Sequence, residues 1–358
     1  MTQPKRRRAP SRLTIVDGFA PEARALRATF DERFSDPRSA RGDRFVWDFW
    51  HVPGQYTALR TPAWEYFPKR AYESFHRRLV EWGRRTLGCH DVSPPWLSCY
   101  VEGCRQELHG DLPHGPFAFV FSLTPWRTRK FRGGETMLLR DHVLDYWSDF
   151  ASERSVEEPD LVELVPAKFN RLVVFDPRVP HGVRRVEGTL DPREGRLVVH
   201  GWFVQPRPFV EGPLAPAELQ DRIDGLLGEL GQVTGALPIA GALSIGFRVS
   251  PAGKVQGARI LSDTTRVPAA EEARARSSVR AIVGSVAEFE FHDSPHRASP
   301  CPSSSLAAES AAVRDSTHRF GGCGLVRLVR RRRRDRLPDE CVSSEAGARR
   351  RRGCRSAP

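Results

Sequence analysis

The sequence predicts an α+β chain. Its larger part reads as a double-stranded β-helix, a jelly roll of two facing sheets with supporting N-terminal helices, followed by a small ββαβ unit and a disordered tail. Three observations carry that expectation. Short apolar segments of strand length, among them residues 117–123, 170–176 and 196–204, recur between turns that contain Gly or Pro. Amphipathic helical stretches precede them, at residues 21–34 and 67–87. The composition then changes twice, to proline-rich near residue 206 and to Ser, Arg, Cys and Pro after residue 293.

Residues 1–12 contain Lys5, Arg6, Arg7, Arg8 and Arg12 and no acid, and read as a disordered basic N-terminus. The domain predicted over 13–209 begins with a strand at Leu13 to Val16 and a turn at Asp17-Gly18-Phe19. Pro21 suits the first turn of a helix that runs to Phe34. Phe45, Trp47 and Phe49 alternate as in a strand. Phe75, Leu79, Trp82 and Thr86 recur at helical spacing with Arg and Glu between them, which predicts a helix over 67–87 packed on the sheet. Strands are expected at 96–100, 117–123, 135–139, 170–176 and 196–204, with Gly133-Gly134 allowing a tight turn before the third. Residues 141–151 read as a helix. Residues 36–42, 54–62 and 184–194 read as loops, where specificity in such a fold would reside.

A linker with a short helix is expected over 210–239. Apolar runs at 242–249 and 255–261 flank Ser250-Pro251-Ala252-Gly253-Lys254, a hairpin signal. A helix at 269–283 and a strand at 288–291 would complete a ββαβ unit over 240–293. From 294 to 358 the periodicity stops, and the arginine runs 330–334 and 349–352 predict disorder.

The chain has 358 residues and a net charge of +12, which invites a nucleic-acid reading. The distribution speaks against it. Residues 1–12 carry +5, and residues 294–358 hold 15 Arg against 6 acids, or +9, which leaves −2 for everything between. A basic groove built into the fold is therefore not expected. No apolar run reaches the ~20 residues of a membrane span, and Leu13 to Val16 is too short for a signal-peptide core. The expected address is cytoplasmic. Cys89, Cys99 and Cys104 form no ligand or disulfide pattern and read as buried thiols.

Chemistry concentrates at Leu108-His109-Gly110-Asp111. His109 and Asp111 are two apart, so on extended backbone both leave the same face. One distant imidazole added to them gives two nitrogens and one carboxylate on one side of an ion, the facial arrangement of non-heme Fe(II) sites. His181 is the candidate third ligand. His114, three residues past Asp111, is its competitor and otherwise a neighbour at the mouth of the site. His142 and His200 read as structural. Arg196 lies on an apolar strand, where a guanidinium is costly unless paired. A bound dicarboxylate would satisfy it, and Arg193 is the alternative. Glu187 or Asp191 folding back would make Arg196 a structural ion pair instead.

These residues stand in a family's order. The run 13–209 resembles the 2-oxoglutarate/Fe(II)-dependent dioxygenase superfamily, most closely its prolyl 4-hydroxylase-like branch. The matching residues are His109-Gly110-Asp111, Phe121-Ser122-Leu123-Thr124 with Trp126, Gly133-Gly134-Glu135-Thr136, Pro180-His181, and Arg196 with Gly201-Trp202-Phe203. The resemblance implies Fe(II) on His109, Asp111 and His181, 2-oxoglutarate as co-substrate, and ascorbate as a candidate auxiliary reductant. It makes Tyr100 a co-substrate neighbour beside Arg196. The implied reaction hydroxylates a C–H bond of a peptide or small-molecule substrate and releases succinate and CO2. Fifteen residues separate His181 from Arg196, more than the family usually shows, and a longer hairpin at 187–194 would absorb the excess. Residues 240–293 resemble the C-terminal domain of TonB-type proteins at Phe247-Arg248-Val249-Ser250-Pro251-Ala252-Gly253-Lys254-Val255, which makes that unit a candidate surface for a protein partner. Two rival readings are a non-catalytic interaction module and an AlkB-type nucleic-acid dealkylase.

Overall fold

The computed structural model describes residues 12–36, 46–111, 114–140, 143, 161–204, 209–211, 223–228, 241–250, 254–266, 272–288 and 324–331. Twelve strands of the larger unit form one continuous antiparallel sheet that curls on itself. In chain order they are β1 (Leu13–Asp17), β2 (Asp48–Val52), β3 (Tyr56–Pro62), β4 (Asp91–Val92), β5 (Trp96–Tyr100), β6 (Arg105–His109), β7 (Phe117–Ser122), β8 (Thr136–Leu139), β9 (Val162–Val165), β10 (Arg171–Phe175), β11 (His181–Val183) and β12 (Arg196–Val204).

The strand order β1-β10-β7-β12-β5 makes one wall and β6-β11-β8-β9 the other. From β5 to β12 the chain passes repeatedly between the walls, the winding of a double-stranded β-helix. The walls are not separate sheets, as a two-sheet fold would have them. Strand β3 pairs with β6 through Tyr56 and Thr57 and with β5 through Leu59 to Pro62, while β2 takes its other edge, and so it joins the walls. Its residues read as a loop in the sequence, because Thr57, Arg60, Thr61 and Pro62 break up any apolar run. Two faces explain why β12 looks uniformly apolar. Leu197, Val199 and Phe203 pack outward into the main core, while Arg196, Val198, His200 and Trp202 face the cavity between the walls. A slip of one residue would exchange the two sets.

Two of the helices cover the outer face of the first wall. Helix α1 (Ala23–Arg33) buries Ala23, Leu26 and Phe30. After the short α2 (Ala63–Tyr66), α3 (Lys69–Thr86) buries Phe75, Leu79 and Gly83. Both longer helices begin and end within a few residues of the spans expected from their periodicity. Gly83 is needed for close approach, since a Cβ there would come within 2.5 Å of the Phe203 ring.

The second unit differs from the expected ββαβ order. Strands β13 (Phe209–Glu211), β14 (Ala242–Val249), β15 (Val255–Asp263) and β16 (Gly324–Arg331) form a sheet ordered β13-β16-β14-β15, packed with α4 (Glu272–Glu288). The hairpin β14–β15 is where the sequence places it. Two strands lie where the sequence reading places none. The linker expected from 210 contains most of β13, and the tail expected to be disordered supplies β16, whose eight residues pair along the whole of β14. In β16 the apolar residues Leu325, Val326, Leu328 and Val329 alternate with nothing, and the adjoining arginine run hides them. The helix expected in the linker is seen at 223–228. Glu288 ends α4 rather than starting a strand, and 289–291 lie outside the described residues. So do 1–11, the rest of the tail, His142 and most of the helix expected at 141–151. Ser262 Oγ of the second unit donates to the Leu87 carbonyl at 2.8 Å, just past α3. No helix among the described residues is long and apolar enough to cross a membrane.

Candidate active site

His109 closes β6 and His181 opens β11, and the two are direct partners across that antiparallel pair. Opposite positions on neighbouring strands bring their side chains to one face, and the ring centroids lie 4.4 Å apart. Asp111 follows two residues after His109 and is held by its own backbone N–H, which donates to the Pro177 carbonyl at 2.9 Å. His181 Nε2 lies 3.3 Å from Asp111 Oδ2, and His109 Nε2 lies 3.5 Å from Oδ1. One ligand atom from each of the three falls within 4.8 Å of the others.

Both imidazoles are oriented from behind. His181 Nδ1 donates to the Val179 carbonyl at 2.9 Å, and His109 Nδ1 donates to the Glu107 carbonyl at 2.9 Å. That turns Nε2 of each ring toward Asp111. The carboxyl of Asp111 is held well below the usual range. Burial opposes this, but hydrogen bonds from His109 and His181 outweigh it. For His109 burial again opposes, and the Asp111 and Glu107 contacts raise its pKa above the ordinary imidazole value.

The same cavity, about 470 Å³, reaches Arg196 and Tyr100. These two are also direct cross-strand partners, on β12 and β5, and the guanidinium lies over the Tyr100 ring at 4.7 Å. Arg196 is only 1% exposed. Its Nη2 donates to Thr136 Oγ1 at 3.2 Å, while Nε and Nη1 are buried without a hydrogen-bond partner. Burial pulls its pKa down, and Tyr100 and then Glu135 act against that. Neither acid suggested as a structural partner reaches it. Asp191 binds Arg193 at 3.1 Å, and Glu187 lies 3.7 Å from Arg185. Arg193 is itself part-exposed on the surface and does not line the cavity.

All five proposed site residues therefore line one cavity. His114 lines it too, stacked on Trp202 at 4.3 Å. His200, read as structural, faces the cavity and meets Ser98 Oγ at 2.7 Å. Burial, then Arg196 and Arg60, press its pKa down to about 3, so it is neutral. Sequence reasoning missed Thr136 as a partner of Arg196, and it missed Arg60. The latter lines the cavity from β3, beside the Trp50 and Trp96 rings, and burial lowers its pKa to about 10. Only the pairing of β3 reveals it. Cys99 and Cys104 are buried with raised pKa values, Cys99 to about 12, and Cys89 is buried as well. None of these thiols belongs to the ligand cluster.

No family model matches this sequence, and no curated protein matches it. Among solved structures it is similar to a prolyl-4-hydroxylase from Pseudomonas putida, with 18% identity and a TM-score of 0.39 over 54% of this chain and 92% of that one. It is similar to a viral collagen prolyl hydroxylase from Paramecium Bursaria Chlorella virus-1 in complex with 2-oxoglutarate, with 12% identity and a TM-score of 0.34 over 54% and 95%. HygX from Streptomyces hygroscopicus, with nickel and 2-oxoglutarate bound, gives 14% identity and a TM-score of 0.35 over 55% and 85%.

Proposed function

We propose that this chain is an Fe(II)- and 2-oxoglutarate-dependent dioxygenase that hydroxylates a C–H bond of a peptide or small-molecule substrate. The observation that carries the proposal is the pairing of two unlike sites in one cavity. At one place two Nε2 lone pairs and a carboxylate converge, a donor set without thiolates that suits Fe(II). At the other a buried guanidinium has two nitrogens without partners. A dicarboxylate that contacts both would satisfy both.

His109, Asp111 and His181 would hold the metal. Arg196 and Thr136 would hold the far carboxylate of 2-oxoglutarate, with Tyr100 beneath the guanidinium. When bound, iron and 2-oxoglutarate supply the O2-dependent oxidising chemistry, with succinate and CO2 as by-products. This chain's own part is to orient and to exclude. The Val179 and Glu107 carbonyls keep the protons on Nδ1, so Nε2 stays available. Val198, Ala118, Phe175 and Val183 line the wall with apolar groups and keep water from the reacting atoms. Arg60, Trp50 and Trp96 line the part of the cavity formed by β3, β2 and β5, where a substrate would rest. The near-neutral charge of residues 13–293 favours a peptide or small molecule over nucleic acid.

The experiment is succinate release from 2-oxoglutarate with Fe(II) and ascorbate supplied, screened over peptides, amino acids and oligonucleotides. We expect substrate-dependent turnover with a member of the first two classes, and none for His181→Ala. Turnover that His181→Ala leaves unchanged would overturn the ligand assignment. Turnover with oligonucleotides alone would favour the dealkylase reading.

A further inference from the structure

Between Phe175 and His181 runs a loop that touches two of the three proposed ligands. Its Pro177 carbonyl accepts the Asp111 N–H, and its Val179 carbonyl accepts from His181 Nδ1. Arg178 sits between those two carbonyls and does not line the cavity. Its backbone N–H donates to Asp176 Oδ1 at 3.0 Å, and its guanidinium grips the same buried carboxylate. Arg178 Nη2 then reaches the second unit, donating to the Thr264 carbonyl at 2.9 Å and to Thr264 Oγ1 at 3.0 Å.

Thr264 is a firm anchor. It is fully buried, its N–H donates to the Ala242 carbonyl at 2.9 Å, and its Oγ1 accepts the Ala242 N–H at 3.1 Å. It thereby ties the end of β15 to the start of β14. Hydrogen bonds thus lead from the sheet of the second unit to Arg178, and the backbone on either side of Arg178 carries the two carbonyls that orient Asp111 and His181.

We propose that the second unit is a clamp on the metal centre, with Arg178 as its positioning residue. The inference rests on the metal-binding reading above and goes beyond it. It assigns to the appended sheet the task of holding the 176–180 loop in the conformation that aims both ligands. Partners that orient ligands in this way typically change metal affinity about 10- to 100-fold when removed. Coupling is reciprocal, so metal bound at the cluster must also stabilise the Thr264 contact.

The test uses the full chain and Co(II) as the probe, titrated without oxygen. Arg178→Ala should raise the Co(II) dissociation constant about tenfold without loss of the cooperative melting transition. Arg178→Lys should recover part of that loss, because one donor still reaches Thr264. Ser262→Ala removes a different hydrogen bond between the units, the one to the Leu87 carbonyl, and should leave Co(II) affinity unchanged. Equal affinity in Arg178→Ala and the wild type would overturn the proposal, and so would an equal loss in Ser262→Ala. If Arg178→Ala does not fold, hydrogen exchange on the wild type decides. Co(II) should slow exchange at the Ala242 and Thr264 amides, and an effect confined to 176–181 would overturn the clamp. If the wild type takes up no Co(II), the metal reading itself falls and the clamp with it, a result distinct from all the others.

Discussion

The two poles of the cavity solve opposite problems. At the His109–Asp111–His181 pole each imidazole lies within 3.5 Å of the Asp111 carboxylate. At the Arg196 pole a whole charge is buried and two of its nitrogens are left without acceptors. Burying a cation without a counter-ion costs several kcal/mol in general, and a fold keeps one only where something gains from it. The difference teaches where the cavity carries unmatched polarity. The carboxylate pole is an assembly of groups with partners, while the arginine pole keeps two buried nitrogens without one.

The sharpest way to break that comparison is Arg196→Met. Losing two charge-assisted hydrogen bonds should weaken 2-oxoglutarate binding by about 100-fold, or roughly 3 kcal/mol. The melting temperature of the ligand-free protein should hold steady or rise, since an unpaired buried charge has been removed. A fall in both would mean that Arg196 is structural. Calorimetric titration and thermal melting on one preparation read the two quantities together.

A smaller effect should appear with pH at the other pole. Asp111 titrates below its unfolded value, so its stabilising contribution is present above about pH 4 and is lost as the pH falls through its folded value. His109 titrates above its unfolded value. Its contribution is full below about pH 6.5 and is lost as the pH rises through its raised folded value. The metal-free protein should therefore lose a little stability from about pH 6.5 upward, where metal affinity grows because His109 Nε2 is freed. Asp111→Asn should flatten that slope in thermal melts recorded with chelator. A slope unchanged in this variant would place the titration elsewhere.

The smallest effect separates the poles most finely. Thr136→Val removes one neutral partner of Arg196, worth about 0.5–1.5 kcal/mol. It should weaken 2-oxoglutarate several-fold and leave Co(II) binding untouched.

The residues that gather in this cavity could largely be named from the sequence, and for a physical reason. His109, Asp111, His181 and Arg196 are chemically costly residues placed at strand ends or in apolar strands, and their types and order suffice to single them out. Where Tyr100 stands relative to Arg196 follows from register, which no sequence states, although both residues could be named. Thr136 and Arg60 stayed hidden for the same reason. A threonine or an arginine in a polar stretch is unremarkable until its strand finds its neighbours. The curled sheet was legible wherever the strands were apolar. It was not legible at β3, where Arg60 faces the cavity and Thr57 and Thr61 interrupt any apolar run, or at β16, eight residues embedded in an arginine-rich tail. Pairing across 34 to 50 residues sets β3 against β5 and β6, and pairing across 75 to 89 residues sets β16 against β14.

The central claim is that one cavity holds a divalent metal at one pole and a dicarboxylate spanning to the other. It is tested most directly by titrating 2-oxoglutarate calorimetrically into the oxygen-free full chain, with and without Co(II). The account predicts one 2-oxoglutarate per chain with Co(II) present and far weaker binding when the metal is withheld. Binding of equal strength in both conditions, or none in either, would contradict it.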